Sequence, residues 1–275
     1  MLGHQLWRQL HQQHEVWVTL RKPLVHYGAH ALFEREKTIS GVEVGSPDAL
    51  EAVFAQVRPE AVINCIGIIK QSKEAKNPLV SLNINSVLPH RLGQICAVAG
   101  ARLIHISTDC VFSGRKGNYT EADLSDAEDL YGRTKFLGET HESHTLTLRT
   151  SIIGRELETK SGLIEWFLSQ SGKSIKGFRK AIYTGFTTME MARIIETVLL
   201  RQPDLHGLWQ VSSDQINKFD LLNIARECFQ WTGEIRPEDQ FVCDRSLDSK
   251  RFRERTGYRP PSWKEMLQEL SQSPI

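Results

Sequence analysis

No apolar run in this chain of 275 residues approaches the roughly 20 that a helix needs to cross a bilayer. The opening "HQLWRQLHQQH" lacks the apolar middle of a secretory signal, so the expected location is the cytoplasm. A cysteine framework is also missing. Cys65, Cys96, Cys110, Cys228 and Cys243 are odd in number and scattered without a CxxC pair, as reduced thiols would be. Nor is there an excess of charge of one sign. The 34 Lys and Arg against 33 Asp and Glu leave a formal net charge of +1, with no bulk attraction to nucleic acid or anionic lipid. Internal repeats and low-complexity linkers are absent too. What remains is an ordinary globular composition, long enough to bury a sizeable core.

Short apolar runs alternate with helical patterns. "EVWVTL" (15–20), "GVEV" (41–44), "AVINCIG" (61–67), "RLIHIS" (102–107) and "TLTLRT" (145–150) read as strands. Helices are expected over 47–57, capped by Ser46, over 78–99, closed by Gly100, and over 130–142. The opening "MLGHQLWRQL" places Leu2, Leu6 and Leu10 on one helical stripe. This alternation predicts an α/β fold, a Rossmann-type doubly wound parallel sheet with helices on both faces. After Ser151 the rhythm loosens into helices at 161–172, 187–200 and 218–233 and a strand at 208–213. We expect a dinucleotide-binding domain over 1–153 plus 178–213. A smaller mixed α/β substrate domain is expected over 154–177 plus 214–275.

In such sheets ligands bind beyond the C-terminal strand ends. The strongest constellation there is "HISTDCVFSG" (105–114) followed by "YGRTK" (131–135). Tyr131 and Lys135 are four apart on a predicted helix and share a face. A cation beside a phenol favours the phenolate, so Tyr131 can exchange a proton with a carbonyl or alcohol oxygen. The Thr108 hydroxyl, at a strand end, can hydrogen-bond the same oxygen. A Tyr–Lys pair alone is a common surface feature; the Ser-Thr strand end upstream makes it a carbonyl-reducing site.

These residues, Ser107-Thr108-Asp109-Cys110-Val111-Phe112 and Tyr131-Gly132-Arg133-Thr134-Lys135 through Gly138-Glu139, resemble the extended short-chain dehydrogenase/reductase superfamily, and within it the dTDP-4-dehydrorhamnose reductase family. Segments 58–67, 83–96, 100–109 and 148–154 are similar in the same order. The resemblance implies Tyr131 as proton donor to a ketone, Lys135 on the nicotinamide ribose, and Thr108 polarising the carbonyl. It implies Glu43 and Val44 near adenine, Cys65, Ile66 and Gly67 along the cofactor, and Thr108, Asp109 and Ile152 near the sugar. Two positions depart from the family pattern: Cys110 stands where tyrosine is usual, and Ile152 where tryptophan is usual.

Arg21 and Lys22 end the second strand of a dinucleotide fold, where a carboxylate normally selects NAD. Two cations suit a 2′-phosphate, which favours NADP(H) and leaves NAD(H) open. Lysines of 65–78 meet either a diphosphate or solvent. His11 with His14, and His141 with His144, have helical spacing but no third ligand, so no metal is expected.

The family opens with a strand and a GxxGxxG turn that cradles the pyrophosphate at a helix N-terminus. Here Gly3 matches the last glycine of that turn, and the first strand and earlier glycines are missing from the sequence. The expectation is a gene product starting about ten residues earlier, or a shortened one with weakened cofactor binding. The function expected is NAD(P)H-dependent reduction of a 4-keto nucleotide-activated deoxysugar in deoxysugar and polysaccharide biosynthesis. Its partners would be a small nucleotide-sugar and, for assembly, a homodimer, with no nucleic acid or membrane. A nucleotide-sugar epimerase and a non-catalytic cofactor-sensing subunit are the alternatives.

Overall fold

The computed structural model describes residues 1–30, 32–158 and 160–273. In chain order α1 (Leu2–Leu10), β1 (Val18–Leu20), β2 (Thr38–Ser40), α2 (Pro47–Val57) and β3 (Ala61–Asn64) come first. Next is a long helical passage of α3 (Pro78–Ser81), a π-helical turn (Leu82–Val87) and α4 (Leu88–Ala99). Then follow β4 (Arg102–Ile106), α5 (Leu130–Leu137), β5 (Thr145–Arg149), β6 (Ile152–Ile153), α6 (Leu163–Ser169), β7 (Ser174–Tyr183) and β8 (Phe186–Thr187). The chain closes with α7 (Thr188–Arg201), β9 (Gly207–Gln210), β10 (Ile216–Asn217), α8 (Lys218–Cys228), β11 (Glu234–Asp244), α9 (Lys250–Thr256) and α10 (Trp263–Gln272). Among the described residues no helix is long and apolar enough to cross a membrane.

The principal sheet is parallel in the order β3-β4-β5-β9, with Asn64 beside His105 and Ile106 beside Leu148. Neighbouring residues of β4 serve opposite faces. Leu103 packs with Leu50 of α2 and Leu88, Leu92 and Cys96 of α4. Ile104 joins Leu2, Leu6 and Leu10 of α1 and the apolar side of α7. Helices thus cover both faces, as expected for a doubly wound sheet. β1 and β2 form a separate parallel pair. Among the described residues no strand joins that pair to β3, and both β1 and β3 line one large cavity together with the first residues of α1. A second sheet, β10-β7-β11, lies in the C-terminal half.

The expected caps hold. Ser46 accepts from the Ala49 N–H at the start of α2, and Gly100 closes α4 in the left-handed region. Three expectations need correction. The strand read at 41–44 lies at 38–40, because Gly41 takes a positive φ of 75° that ends extended pairing. The helix carrying Tyr131 stops at Leu137 rather than 142, so His141 and His144 lie outside it; His144 instead bonds the Gly93 carbonyl. Residues 178–183 belong to β7 in the second sheet, not to the first domain. Their largely alternating burial marks a sheet with one solvated face, unlike the fully buried β5.

Directly after α5, Glu139 forms a buried ion pair with Arg149 at the end of β5, the two side chains 1% and 3% exposed. The pair is bidentate at 2.8 and 2.7 Å, and Ser107 after β4 donates its hydroxyl to the same carboxylate at 2.7 Å. One carboxylate therefore ties a helix end to two strand ends. Removing one partner leaves a buried charge. Glu139→Ala should lower the urea-unfolding free energy by about 3–5 kcal/mol. A Glu139→Leu/Arg149→Met double variant should lose less than the single variant; a larger loss in the double variant would count against this role.

Candidate active site

β4 delivers Ser107, Thr108 and Asp109, all buried, to the C-terminal edge of the sheet. The Thr108 hydroxyl donates to Asp109 at 3.1 Å and accepts from the Cys110 N–H at 3.1 Å, which turns the chain into a short 3-10 turn. α5 begins at Asp129, whose carboxylate accepts from the Gly132 N–H at 2.8 Å. That cap sets Tyr131 at the first turn and Lys135 one turn later, on the side facing β4. α5 lies so close to the strand end that a methyl at Gly132 would overlap the Cys110 carbonyl, and one at Gly138 the Asn85 carbonyl. Both glycines of the YGRTKFLG segment are there for close approach.

Thr108, Tyr131 and Lys135 thus meet on the wall of one cavity of about 1670 Å³. The same cavity is lined by Gly3, Val44, Cys65, Ile66, Gly67, Asp109, Cys110 and Ile152. Sequence reasoning placed each of these near ligand, and the fold brings them together. Arg21, Lys22 and Glu43 are not in the lining. Arg21 and Glu43 are exposed, and Lys22 is held by Glu158 at 3.1 Å and by His26 at 2.8 Å. Among the described residues no cluster of His, Cys, Asp and Glu suits a metal, and His14 faces Glu196 at 3.5 Å.

The electrostatics differ from the simple pairing of a cation with a phenol. Burial pushes the Tyr131 phenol up, Cys110 adds to this, and Thr108 opposes it through a hydrogen bond. The Lys135 amine is engaged by partners other than the phenol. Its Nζ donates to the Ile106 carbonyl at 2.7 Å and lies 3.3 Å from His105 Nε2. Burial brings Lys135 down to about 8, against Glu139 and Cys65, which raise it. Asp109 is pushed up by burial, with Arg245 and hydrogen bonds from Cys110 and Thr108 opposing. The Cys65 and Cys110 thiols are pushed up to about 12 by burial, which makes them poor nucleophiles.

Two cations escaped the sequence reading as site residues, and a third is one of the lysines of 65–78 that it left open between diphosphate and solvent. Arg245 and Lys218 enter the cavity wall from the C-terminal half, and Lys70 from the loop after β3. Lys70 pairs with Asp129 at 2.5 Å and sits 5.8 Å over the Tyr131 ring, while Arg245 donates to the Phe112 carbonyl at 2.7 Å. No spacing rule connects residues 70, 218 and 245; only the fold does. His105 and Asn64 were also missed, although a histidine inside an apolar strand was a visible signal for a buried partner.

The residues fit a nicotinamide dinucleotide. The first residues of α1, Leu2 and Gly3, line the cavity. The Cys65–Gly67 wall is apolar, and Tyr131 and Lys135 supply the polar end.

The RmlD substrate binding domain family model matches residues 1–273, and the chain belongs to that family. It is 34% identical over 107 residues to the dTDP-4-dehydrorhamnose reductase of Mycobacterium tuberculosis, a match spanning 37% of this chain and about a third, 34%, of that relative's length. A hypothetical dTDP-4-dehydrorhamnose reductase from Sulfolobus tokodaii superposes with a TM-score of 0.71 at 26% identity, over 89% of this chain and 97% of the other. The dTDP-4-dehydrorhamnose reductase of Bacillus anthracis in complex with NADP shares the fold with a TM-score of 0.74 at 17% identity, over 93% and 99% of the two chains.

The tight seat of α5 generates a test. Gly132→Ala should push the helix off the Cys110 carbonyl and lower the unfolding free energy by about 1–3 kcal/mol. A thermal melt no different from wild type would show that the helix does not need this approach.

Proposed function

We propose that the chain reduces a 4-keto group on a nucleotide-activated deoxysugar with NADPH, as a dTDP-4-dehydrorhamnose reductase does. The observation that carries this reading is the convergence of Thr108, Tyr131 and Lys135 on one cavity wall. Family membership supports it, and NADP in the Bacillus anthracis relative supports the choice of cofactor. NAD(H) remains the second choice, since Lys22 is engaged by Glu158.

When bound, the nicotinamide cofactor supplies the hydride. Gly3 at the start of α1 would hold its pyrophosphate, Val44 and Cys65 to Gly67 would flank it, and Lys135 would serve its ribose. Tyr131 gives its phenolic proton to the ketone oxygen. Burial keeps the phenol protonated but makes it a weaker acid, so donation depends on the negative charge that develops on the ketone oxygen. Thr108 polarises the same oxygen by swinging its hydroxyl hydrogen to it from Asp109. Ile152 and Cys110 face the sugar. Lys70, Lys218 and Arg245 offer charge to a nucleotide diphosphate. In this division the principal sheet serves the cofactor, and the second sheet closes the sugar end.

NADPH oxidation with dTDP-4-keto-6-deoxysugar, followed by absorbance, tests the assignment. Tyr131→Phe should lose about 10²- to 10⁴-fold in rate with its thermal melt unchanged. Undiminished reduction by this variant would exclude Tyr131 as the proton donor.

A further inference from the structure

Asn64, His105 and Lys135 form a buried polar chain beneath the site, with exposures of 3%, 0% and 4%. The proposed reaction uses only the last. The Ile66 N–H donates to Asn64 Oδ1 at 3.1 Å, which fixes the amide's orientation. Asn64 Nδ2 then points at His105 Nδ1, 3.1 Å away, and can only donate to it. A neutral imidazole with a bare Nδ1 carries its hydrogen on Nε2. That Nε2 lies 3.3 Å from Lys135 Nζ. An ammonium offers no lone pair to receive the hydrogen, whereas a neutral amine does, and still donates to the Ile106 carbonyl at 2.7 Å.

Each alternative puts two donors face to face. A flipped Asn64 amide would meet the Ile66 N–H. The other His105 tautomer would meet Asn64 Nδ2. A doubly protonated His105 is opposed by burial first, then by Lys135 and His90, all of which hold it well below its usual range.

We propose that His105 is a positioning residue which, oriented by Asn64, donates Nε2–H to the unprotonated amine of Lys135 and so lowers that lysine's affinity for a proton in the cofactor-free protein. The inference deepens the reductase reading, since it sets the charge of the lysine that reading assigns to the ribose, and it rests on that reading only for its catalytic meaning. Other groups facing this amine are Glu139 just after α5 and Cys65 after β3, which favour its charged form. His90 on α4 acts on His105. The lysine's proton is thus contested between Glu139 below and the Asn64–His105 chain beside it.

Nitrogen-15 NMR of the full chain reads both partners without any turnover. At about pH 9, where ordinary lysines remain charged, His105 should show a protonated Nε2 and a bare Nδ1, and Lys135 should be a neutral amine. A protonated Nδ1 there would overturn the proposal in the wild-type protein, whether or not any variant folds. Under the proposal His105→Met should raise the Lys135 titration midpoint by about one pH unit, a tenfold change in proton affinity. His105→Gln, which keeps a donor, should leave it near wild type. A midpoint that falls or stays put in His105→Met, or that rises equally in His105→Gln, would overturn it. If these shifts are as expected and Tyr131→Phe nevertheless reduces sugar at full rate, the catalytic reading fails while the hydrogen-bond chain stands.

Discussion

The buried pair between Glu139 and Arg149 is the interaction on which the site's geometry depends. Both charges are removed from water, so each demands its partner, and the bidentate geometry fixes their separation and plane. Glu139 follows α5 directly, and Arg149 and Ser107 lie at the C-terminal ends of neighbouring strands. The pair therefore sets where α5 ends relative to the sheet. Gly132 and Gly138 then permit the helix to sit within backbone contact of the Cys110 and Asn85 carbonyls. Tyr131 and Lys135 inherit their positions from these constraints rather than from contacts with each other.

The same seating explains why Lys135 behaves as it does. A lysine on an exposed helix face keeps its proton and screens its neighbours weakly. Here the side chain runs into the sheet edge and meets the Ile106 carbonyl and His105 before it meets Tyr131. Burial raises the phenol and lowers the amine, so both groups sit closer to their neutral forms than they would in water.

Much of this was legible in the sequence, and for definite reasons. The parallel sheet showed in apolar runs such as "AVINCIG" and "RLIHIS", because a strand covered on both faces has little room for polar alternation. Thr108, Tyr131 and Lys135 were legible because strand-end position and helical spacing are local properties. Arg245 and Lys218 were not, since their approach to the cavity comes from tertiary packing of distant segments. The strand read at 41–44 slipped by three residues because apolar alternation continues past Gly41 while the backbone does not. Residues 178–183, read with the first domain, pair in the second sheet, because a strand's pattern reveals its faces but not its neighbours.

Net hydride transfer onto the sugar distinguishes a reductase from an epimerase or a sensor, and isotope transfer tests it most directly. The chain would be incubated with dTDP-4-keto-6-deoxysugar and NADPH deuterated at the transferable C4 position, and the product sugar analysed by mass spectrometry and NMR. The account expects a single deuterium, at C4 of the reduced sugar, in proportion to the NADPH consumed. A sugar altered without deuterium from the added cofactor would mean that hydride returns internally, as in an epimerase, and an unaltered sugar with bound cofactor would mean a sensor; either result would contradict it.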